Sequence, residues 1–278
     1  AMNQAMWANG RTKKNLAALE SDPQFRIWGP AEGDQACGDV GPGRMLEPDQ
    51  LVQQVAAMDD QSLRGIRLVL TAGPTREALD PVRYITNHSS GRMGFAIAES
   101  AARQGADVTL VAGPVSLPTP NGVQRVDVET AEAMQQAVDE ALSGGADWFI
   151  ATAAVADYRP VTRSDSKIKK DRDSAPVIEL QQNPDILASV AARKQNRPFT
   201  VGFAAETNDV RDYAQDKLKR KNLDMIVAND VSAPGIGFNR GRNAVEVFWE
   251  EGSQQFDARS KTELATDLLT LIHERSRA

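Results

Sequence analysis

From Ile66 onward the chain alternates two hydrophobic periods. Compact, largely β-branched runs recur as "IRLVLT" (66–71), "DVTLVAGP" (107–114), "VQRVDV" (123–128), "DWFIATAA" (147–154), "FTVGFAAE" (199–206) and "LDMIVAND" (223–230). Each is short, apolar and followed by polar or turn-forming residues, which predicts strands. Between them lie segments of about a dozen residues with helical spacing. In "MGFAIAESAARQG", Met93, Ile97 and Ala101 recur at i, i+4 and i+8, and Gly105 stands where a helix C-cap belongs. Thr130 is placed to cap "AEAMQQAVDEAL", and Asn183 to cap "NPDILASVAARK" with Pro184 at its first position. "NDVRDYAQDKLKRK" is a further helix, "NAVEVFWEEGSQQFDARS" a hairpin turning around Glu251–Gly252, and "TELATDLLTLI" an amphipathic terminal helix. Strands alternating with helices imply an α/β, Rossmann-like fold: a mainly parallel sheet, helices on both faces, and a C-terminal β-hairpin. Ligands in such sheets sit beyond the carboxyl ends of the strands. Five loops are thereby singled out: "TAGPTRE", "VAGP", "TAAVADYRP", "GFAAETN" and "ANDVS".

The N-terminal part has a different texture. Residues 1–45 are Gly-rich and irregular, which suggests disorder or docking on another chain. "EPDQLVQQVAAM" reads as a short helix, and "DDQSLRG" as a linker. The expected domains are therefore 1–64 and 65–278. At 41% hydrophobic and 25% charged the composition is that of a globular protein. No apolar run approaches the roughly 18 residues of a membrane span, and the first residues lack the order of a signal peptide. Cys37 is the single cysteine, which removes intrachain disulfides and Cys-based zinc sites and makes a reducing cytoplasm the simplest compartment. A net charge of -6 argues against a nucleic-acid partner.

"YITNHSSGRMGFAIAE" (84–99) places Asn87, His88, Ser89, Ser90 and Gly91 just before a helix. Unpaired amides at a helix N-terminus, reinforced by its dipole, form an anion site. The plainer alternative is that Ser89 or Ser90 merely caps the helix. His88 reads either as a hydrogen-bonded structural group or as a base, and Asn87 as a carbonyl-positioning group or simple turn chemistry. Asp157, after a buried strand, is a candidate Mg²⁺ ligand against phosphates; the alternative is an ion pair with Arg159. "SDSKIKKDRD" carries Lys167, Lys169 and Lys170, either a solvated loop or a mobile lysine loop that neutralises a polyphosphate. Lys217 and Lys221 are i, i+4 and present either a paired positive edge or a solvated helical face. Neither G-x-G-x-x-G nor G-x-x-x-x-G-K-[ST] occurs, so the usual NAD and ATP signatures are missing. The residues by themselves imply an α/β protein that binds a phosphorylated small molecule or nucleotide.

From about residue 65 to the C-terminus the chain resembles the bacterial phosphopantothenate–cysteine ligase family. "TAGPTREALDPVRYITNHSSGRMG", "VTLVAGPVSLPTP", "ATAAVADYRP", "KIKK", "NPDIL", "VGFAAET" and "NLDMIVAND" carry the likeness. Residues 1–45 resemble the end of the flavin-dependent decarboxylase half that precedes the ligase in the bifunctional coenzyme A biosynthesis polypeptide. "MNQAMW" is similar to its substrate-binding motif, with Asn3 in the binding position, and "ACGD" to its substrate clamp, with Cys37 as proton donor. The resemblance implies FMN for that half. It also leads one to expect no decarboxylase activity from these residues alone, since most of the flavin-binding fold is absent.

What the resemblance implies for the ligase half is specific. The carboxylate of 4'-phosphopantothenate attacks the α-phosphate of CTP, giving an acyl-cytidylate and pyrophosphate; the amine of cysteine then attacks the acyl carbon and releases CMP. Asn87 matches the asparagine that holds the acyl-cytidylate for the second step. Lys167 matches the mobile-loop lysine of the first step. Ala151, Thr152, Ala153, Asp157, Lys167, Pro184, Asp185, Ile186, Leu187, Phe203, Lys217 and Lys221 fall on positions similar to the CTP site, with Asp157 the candidate ligand of Mg²⁺. Gly73, Ser89, Ser90 and Gly91 would cradle phosphate and acyl oxygens. The family also implies a homodimer through the ligase domain, a higher oligomer in the full-length parent, and a substrate site shared between subunits through the loops around Arg159 to Lys170. Two other readings stay open on sequence grounds: a Rossmann-like nucleotide-binding oxidoreductase and a non-catalytic nucleotide-binding module.

Overall fold

A computed structural model describes residues 2–22, 25–35, 37–56, 60–169, 177–206, 210–230 and 242–277. The chain divides into two units, Ala1–Asp60 and Gln61–Ala278. The first contains helices α1 (Gln4–Ala8) and α2 (Gly10–Glu20), a hairpin of β1 (Ala31–Asp34) and β2 (Val40–Arg44), and helix α3 (Pro48–Ala56). Residues 1–45 thus carry local structure where their Gly-rich texture suggested disorder: Asn3 and Asn9 accept from the Met6 and Arg11 amides and cap two helices in succession. The glycines serve the hairpin instead. Gly43 has φ 136° and lies so close to the Met2 carbonyl that a Cβ would sit 2.2 Å from it. Neither α1 nor α2 buries a side chain.

The second unit runs β3 (Arg67–Ala72), β4 (Arg76–Ala78), β5 (Tyr84–Thr86), α4 (Arg92–Arg103), β6 (Asp107–Ala112), β7 (Val123–Asp127), α5 (Ala131–Ser143), β8 (Trp148–Ala151), β9 (Tyr158–Pro160), β10 (Leu180–Gln182), α6 (Ile186–Ala191), β11 (Phe199–Glu206), α7 (Val210–Arg220), β12 (Met225–Asp230), β13 (Arg242–Trp249), β14 (Gly252–Ser260) and α8 (Lys261–Arg275). Its eight-stranded sheet has the order β14-β13-β12-β11-β8-β3-β6-β7. Pairings from β7 across to β12 are parallel; β13 and β14 join antiparallel. The α/β, Rossmann-like expectation holds, with helices on both faces. Phe95, Ile97 and Ala98 of α4 and Leu264, Leu268 and Leu269 of α8 pack on one face. Met134 and Val138 of α5, Val190 of α6 and Leu218 of α7 pack on the other.

Chain order reverses between β3 and β8: β6 and β7 lie to one side of β3, β11 and β12 beyond β8. At such a switch point two strand ends diverge and leave a crevice. Here the loops leaving β3 and β8 stay zipped past the sheet. Ala154 donates to the Gly73 carbonyl at 2.9 Å, Thr152 Oγ1 to the Thr71 carbonyl at 2.7 Å, and the Ala156 amide to Thr75 Oγ1 at 3.0 Å. Thr75 is fully buried. The crevice thus has a braced rim rather than loose loops.

Several local readings need correction. The α6 cap is Asp185, whose side chain accepts from the Ala188 amide at 3.0 Å, because the helix begins two residues later than Pro184 suggested. The β13–β14 turn is Glu250–Glu251, with Trp249 opposite Gly252. Leu63, in the supposed linker, is buried at 1% and belongs to the second unit's core. Two small ribbons, β4 paired with β5 and β9 paired with β10, had no counterpart in the sequence reading. Thr130 caps α5 through the Ala133 amide, and Gly105, φ 89°, follows α4, both as expected. No helix among the described residues is long and apolar enough to cross a membrane.

Candidate functional site

A cleft of about 730 Å³ opens at the switch point. Ala151, Ala153, Asp157, Pro184, Asp185, Ile186, Leu187, Phe203, Lys217 and Lys221 all line it. These residues come from four separate segments of sequence, so their convergence is a result of folding, not of proximity in the chain. Residues overlooked at the sequence level, Tyr158, Asn183, Tyr213 and Arg220 among them, also line it. No spacing rule flags these four; two of them stand on the exposed side of α7.

One wall is fixed by charge. Lys221 Nζ lies 2.5 Å from Asp185 Oδ2. Burial would push the Asp185 carboxyl up, but the bonded Lys221, the Ala188 amide and the neighbouring Lys217 charge outweigh it and hold the carboxyl below its ordinary range. Asp185 therefore both starts α6 and pins Lys221. Lys217 and Lys221 both line the cleft, Lys221 as the partner of Asp185. The segment carrying Asp185 is tied to the loop after β8 by Asn183, whose side chain donates to the Ala156 carbonyl at 2.8 Å and accepts from Arg159 at 2.9 Å. Arg159 pairs with Glu132 at 2.7 Å, which displaces the suggested Asp157–Arg159 pair. Asp157 is exposed on the rim, and its carbonyl accepts from the Asn183 amide.

A smaller cavity of about 210 Å³ shares Ala153, Ala154 and Phe203 with the cleft. It is lined by Ser89, Ser90, Gly91, Thr152 and Gly94 together with Asn229, Asn243 and Lys261. Neither serine caps α4. The cap position is Gly91 itself, left-handed at φ 72° with no side-chain bond, so the helix start remains open toward the cavity. Gly73 lies outside this lining but directly behind it: a Cβ on Gly91 would stand 3.3 Å from the Gly73 amide nitrogen. Burial and the nearby Arg92 charge push the Lys261 ammonium below the usual lysine range. The Asn229 and Asn243 side-chain oxygens are buried without a hydrogen-bond partner. The cavity thus combines cationic and acceptor groups, which suits a ligand carrying both an anionic oxygen and an N–H or O–H donor.

Asn87 lines neither space but is bonded to the wall they share. Its Nδ2 donates to the carbonyls of Ala154 and Val155, each at 3.1 Å, both residues of the cleft wall. That leaves the side-chain oxygen as the atom available to a ligand. His88 is exposed. Lys167 is exposed on the segment between β9 and β10 and lines neither cavity; Lys169 is exposed nearby. Lys170, and the ends of the "GFAAETN" and "ANDVS" loops, lie outside the described residues. In the first unit, the Asn3 side chain is engaged as the α1 cap, and Cys37 is exposed with Sγ 3.5 Å from Asp39.

The family model of the DNA/pantothenate metabolism flavoprotein C-terminal domain matches residues 63–275, and that of the flavoproteins matches residues 1–58. The Coenzyme A biosynthesis bifunctional protein CoaBC of Vibrio cholerae serotype O1 is 59% identical over 277 residues, which cover 99% of this chain and 69% of that protein. Its counterpart in Escherichia coli strain K12 is 52% identical over 278 residues, with 98% and 68% covered. Among solved structures, the C-terminal domain of a Coenzyme A biosynthesis bifunctional protein CoaBC superposes with a TM-score of 0.66 at 41% identity, covering 77% of this chain and 97% of that one. The DNA/pantothenate metabolism flavoprotein from Streptococcus pneumoniae, 23% identical, shares the fold at a TM-score of 0.65 over 76% of this chain and 99% of that one.

Proposed function

The chain belongs to the family of the DNA/pantothenate metabolism flavoprotein C-terminal domain, and on that premise we propose that it joins 4'-phosphopantothenate to cysteine in coenzyme A biosynthesis, using CTP. A carboxylate is a poor electrophile, and cytidylylation gives it a good leaving group. The first step forms a bond between a carboxylate oxygen and the α-phosphorus and releases pyrophosphate. In the second, the cysteine amine attacks the acyl carbon, loses a proton and expels CMP. Neither step needs a nucleophile from the protein, so the work falls to positioning and charge.

The observation that carries this reading is the shared wall of the two spaces. The larger cleft, with Lys217, Lys221 and the α6 N-terminus, takes the nucleotide; the smaller cavity at the open start of α4 takes the acid substrate. They meet at Ala153, Ala154 and Phe203, where an acyl–phosphate bond would form. Asn87, held by the carbonyls of that wall, leaves its side-chain oxygen to accept from the attacking cysteine amine beside the acyl group, and Lys167 neutralises the departing pyrophosphate. Among the described residues no group of three or more His, Cys, Asp or Glu side chains could hold a metal ion. That donor set fits Mg²⁺ only as an ion carried in on the triphosphate, with Asp157 on the cleft rim to meet it, since the cleft's Asp185 and Asp216 are paired with Lys221 and Arg220; the ion would add charge neutralisation there.

The two ribbons leave Val82, Tyr84, Tyr158, Val161, Ile178 and Leu180 exposed, which suits burial against a second copy and supports the homodimer. The relatives are bifunctional, and residues 1–58 belong to their flavoprotein part. Decarboxylation with FMN is therefore an activity of the full-length protein, in the cytoplasm and as a higher oligomer. Helices α1 and α2 bury no side chain and offer no flavin cradle, so no flavin step is assigned to them.

The test is pyrophosphate release from CTP with phosphopantothenate, run with and without cysteine. Release that depends on the acid, followed by CMP and amide only when cysteine is added, is the expected result. NAD-dependent turnover instead would favour an oxidoreductase. CTP binding with no turnover would favour a non-catalytic module.

A further inference from the structure

Lys167 is exposed and makes no contact with either cavity, so something must set where its ammonium can reach. Its own side chain does not; the next residue's backbone does. The Ile168 amide donates to Asp80 Oδ2 at 3.1 Å, and the Ile168 carbonyl accepts from Arg83 Nη2 at 2.9 Å. A third bond, from the Ser164 amide to the Leu79 carbonyl at 3.0 Å, ties the start of the same segment to the same turn.

That turn is itself held by one carboxylate. Asp80, only 2% exposed, accepts from five donors: the Val82 and Arg83 amides on Oδ1, and Arg83 Nε, Arg83 Nη2 and the Ile168 amide on Oδ2. An ionised carboxylate has about four lone-pair sites, so Asp80 has no spare capacity for a ligand or a catalytic proton. The bonded Arg83 guanidinium does most to hold the Asp80 carboxyl below the usual carboxylate range; burial opposes this, and the three amides add to the lowering, so Asp80 stays charged far below neutral pH. Downstream, the turn passes through β5 into Asn87. The lysine of the first step and the asparagine of the second therefore hang from one five-residue turn. Only Asn87 has side-chain anchors of its own, on the Ala154 and Val155 carbonyls.

We propose that the Asp80–Arg83 pair is a positioning device for Lys167: by gripping both backbone groups of Ile168 it fixes the base of the lysine segment relative to Asn87 and the cleft. This rests on the ligase reading for its kinetic consequence, though not for its structural one. Asp80→Asn keeps the side chain's shape, but its NH₂ must then face donors that the carboxylate satisfied.

In the full 278-residue chain, Asp80→Asn should slow acyl-cytidylate formation, read as single-turnover pyrophosphate release, by at least about tenfold. The KM for CTP should be unchanged. Amide formation from preformed acyl-cytidylate plus cysteine should stay within about twofold of the unaltered protein, because Asn87 keeps its anchors. Hydrogen exchange in a peptide spanning 164–169 should accelerate while exchange in the sheet strands does not. Equal slowing of both steps would mean a merely structural residue and would overturn the proposal, as would unchanged exchange at 164–169. Should Asp80→Asn fail to fold, Arg83→Lys, which keeps the charge but not the planar fork, should show the same exchange change and the same split between steps. If the unaltered protein releases no pyrophosphate at all, the ligase reading fails, and the exchange measurement alone decides for or against the grip.

Discussion

Two lysines with roles in the proposed reaction are held in opposite ways. Lys221 sits on the wall, mostly buried, bonded to the carboxylate that also starts α6. Lys167 stands in solvent, with no pocket contact, placed by its neighbour's backbone on a turn more than 80 residues away in sequence. A cation pinned by an ion pair has already lost its side-chain entropy and is ready to receive charge that is always present, such as a bound nucleotide. A cation on an exposed side chain can follow charge that appears only as a bond breaks. On the proposed ligase reading, the contrast is a division of labour in which the wall binds and the ribbon-borne segment acts.

The largest effect should come from Lys167→Gln. If its charge matters only while pyrophosphate departs, kcat for the first step falls roughly 100-fold or more, the size seen when one transition-state donor is removed, while the KM for CTP barely moves. Rapid-quench measurement of pyrophosphate decides; a raised KM with normal kcat would place Lys167 with the binding wall and erase the contrast.

Asn87→Asp should come next. It replaces an NH₂ that donates to two carbonyls at 3.1 Å by an oxygen facing them, and it sets a negative charge beside the acyl phosphate. We expect pyrophosphate release to survive and amide formation to fall about 100-fold, with labelled acyl-cytidylate accumulating. Failure of the labelled intermediate to appear would remove Asn87 from the second step.

Lys221→Gln should act on binding alone, weakening CTP by about tenfold, the equivalent of one charge-assisted hydrogen bond. Its partner sets the pH range. Asp185 has its carboxyl held below the ordinary value, so the pair's contribution is complete above the usual aspartate range near pH 4 and is lost as pH falls through the lower, folded value. CTP affinity should therefore show no inflection from this pair between about pH 6 and 8. Isothermal titration over that range would reveal one if Asp185 were instead titrating.

Which parts were legible from sequence follows from the same physics. The central strands were, because Val108, Leu110 and Ile150 are buried among apolar neighbours and leave a dense hydrophobic run. Ten of the twelve positions given to the nucleotide site line one cleft, while Thr152 lines the smaller cavity and Lys167 neither. The ribbons β4–β5 and β9–β10 were not legible, since strands of three residues are too short to show a period. The bracket between Asp80 and Ile168 was invisible too: its bond comes from a backbone amide 88 residues away, and backbone donors and acceptors leave no signature in composition. Pro184 drew the α6 cap two residues early, and the short polar pair Ser89–Ser90 hid the fact that Gly91 alone can take the left-handed turn into α4.

The smallest functional effect should come from Gly94→Ala, which tests whether the two spaces are mechanically separate. A Cβ there would stand 2.4 Å from Thr152 Oγ1 and 2.6 Å from the Ala72 Cβ, both on the sheet, so α4 must move away from β3 and β8. Overpacking of this kind costs about 1–3 kcal/mol, which in a unit of this size lowers the melting temperature by a few degrees, at ~2–4 °C per kcal/mol. The displacement carries the open start of α4, hence Ser89, Ser90 and Gly91, but not Asp185 or Lys221, which belong to α6 and the end of α7. Affinity for the acid substrate should therefore drop a few-fold while CTP affinity holds. A parallel loss of both would mean that the shared wall at Ala153 and Ala154 transmits the shift, and that the cleft and the cavity behave as one site.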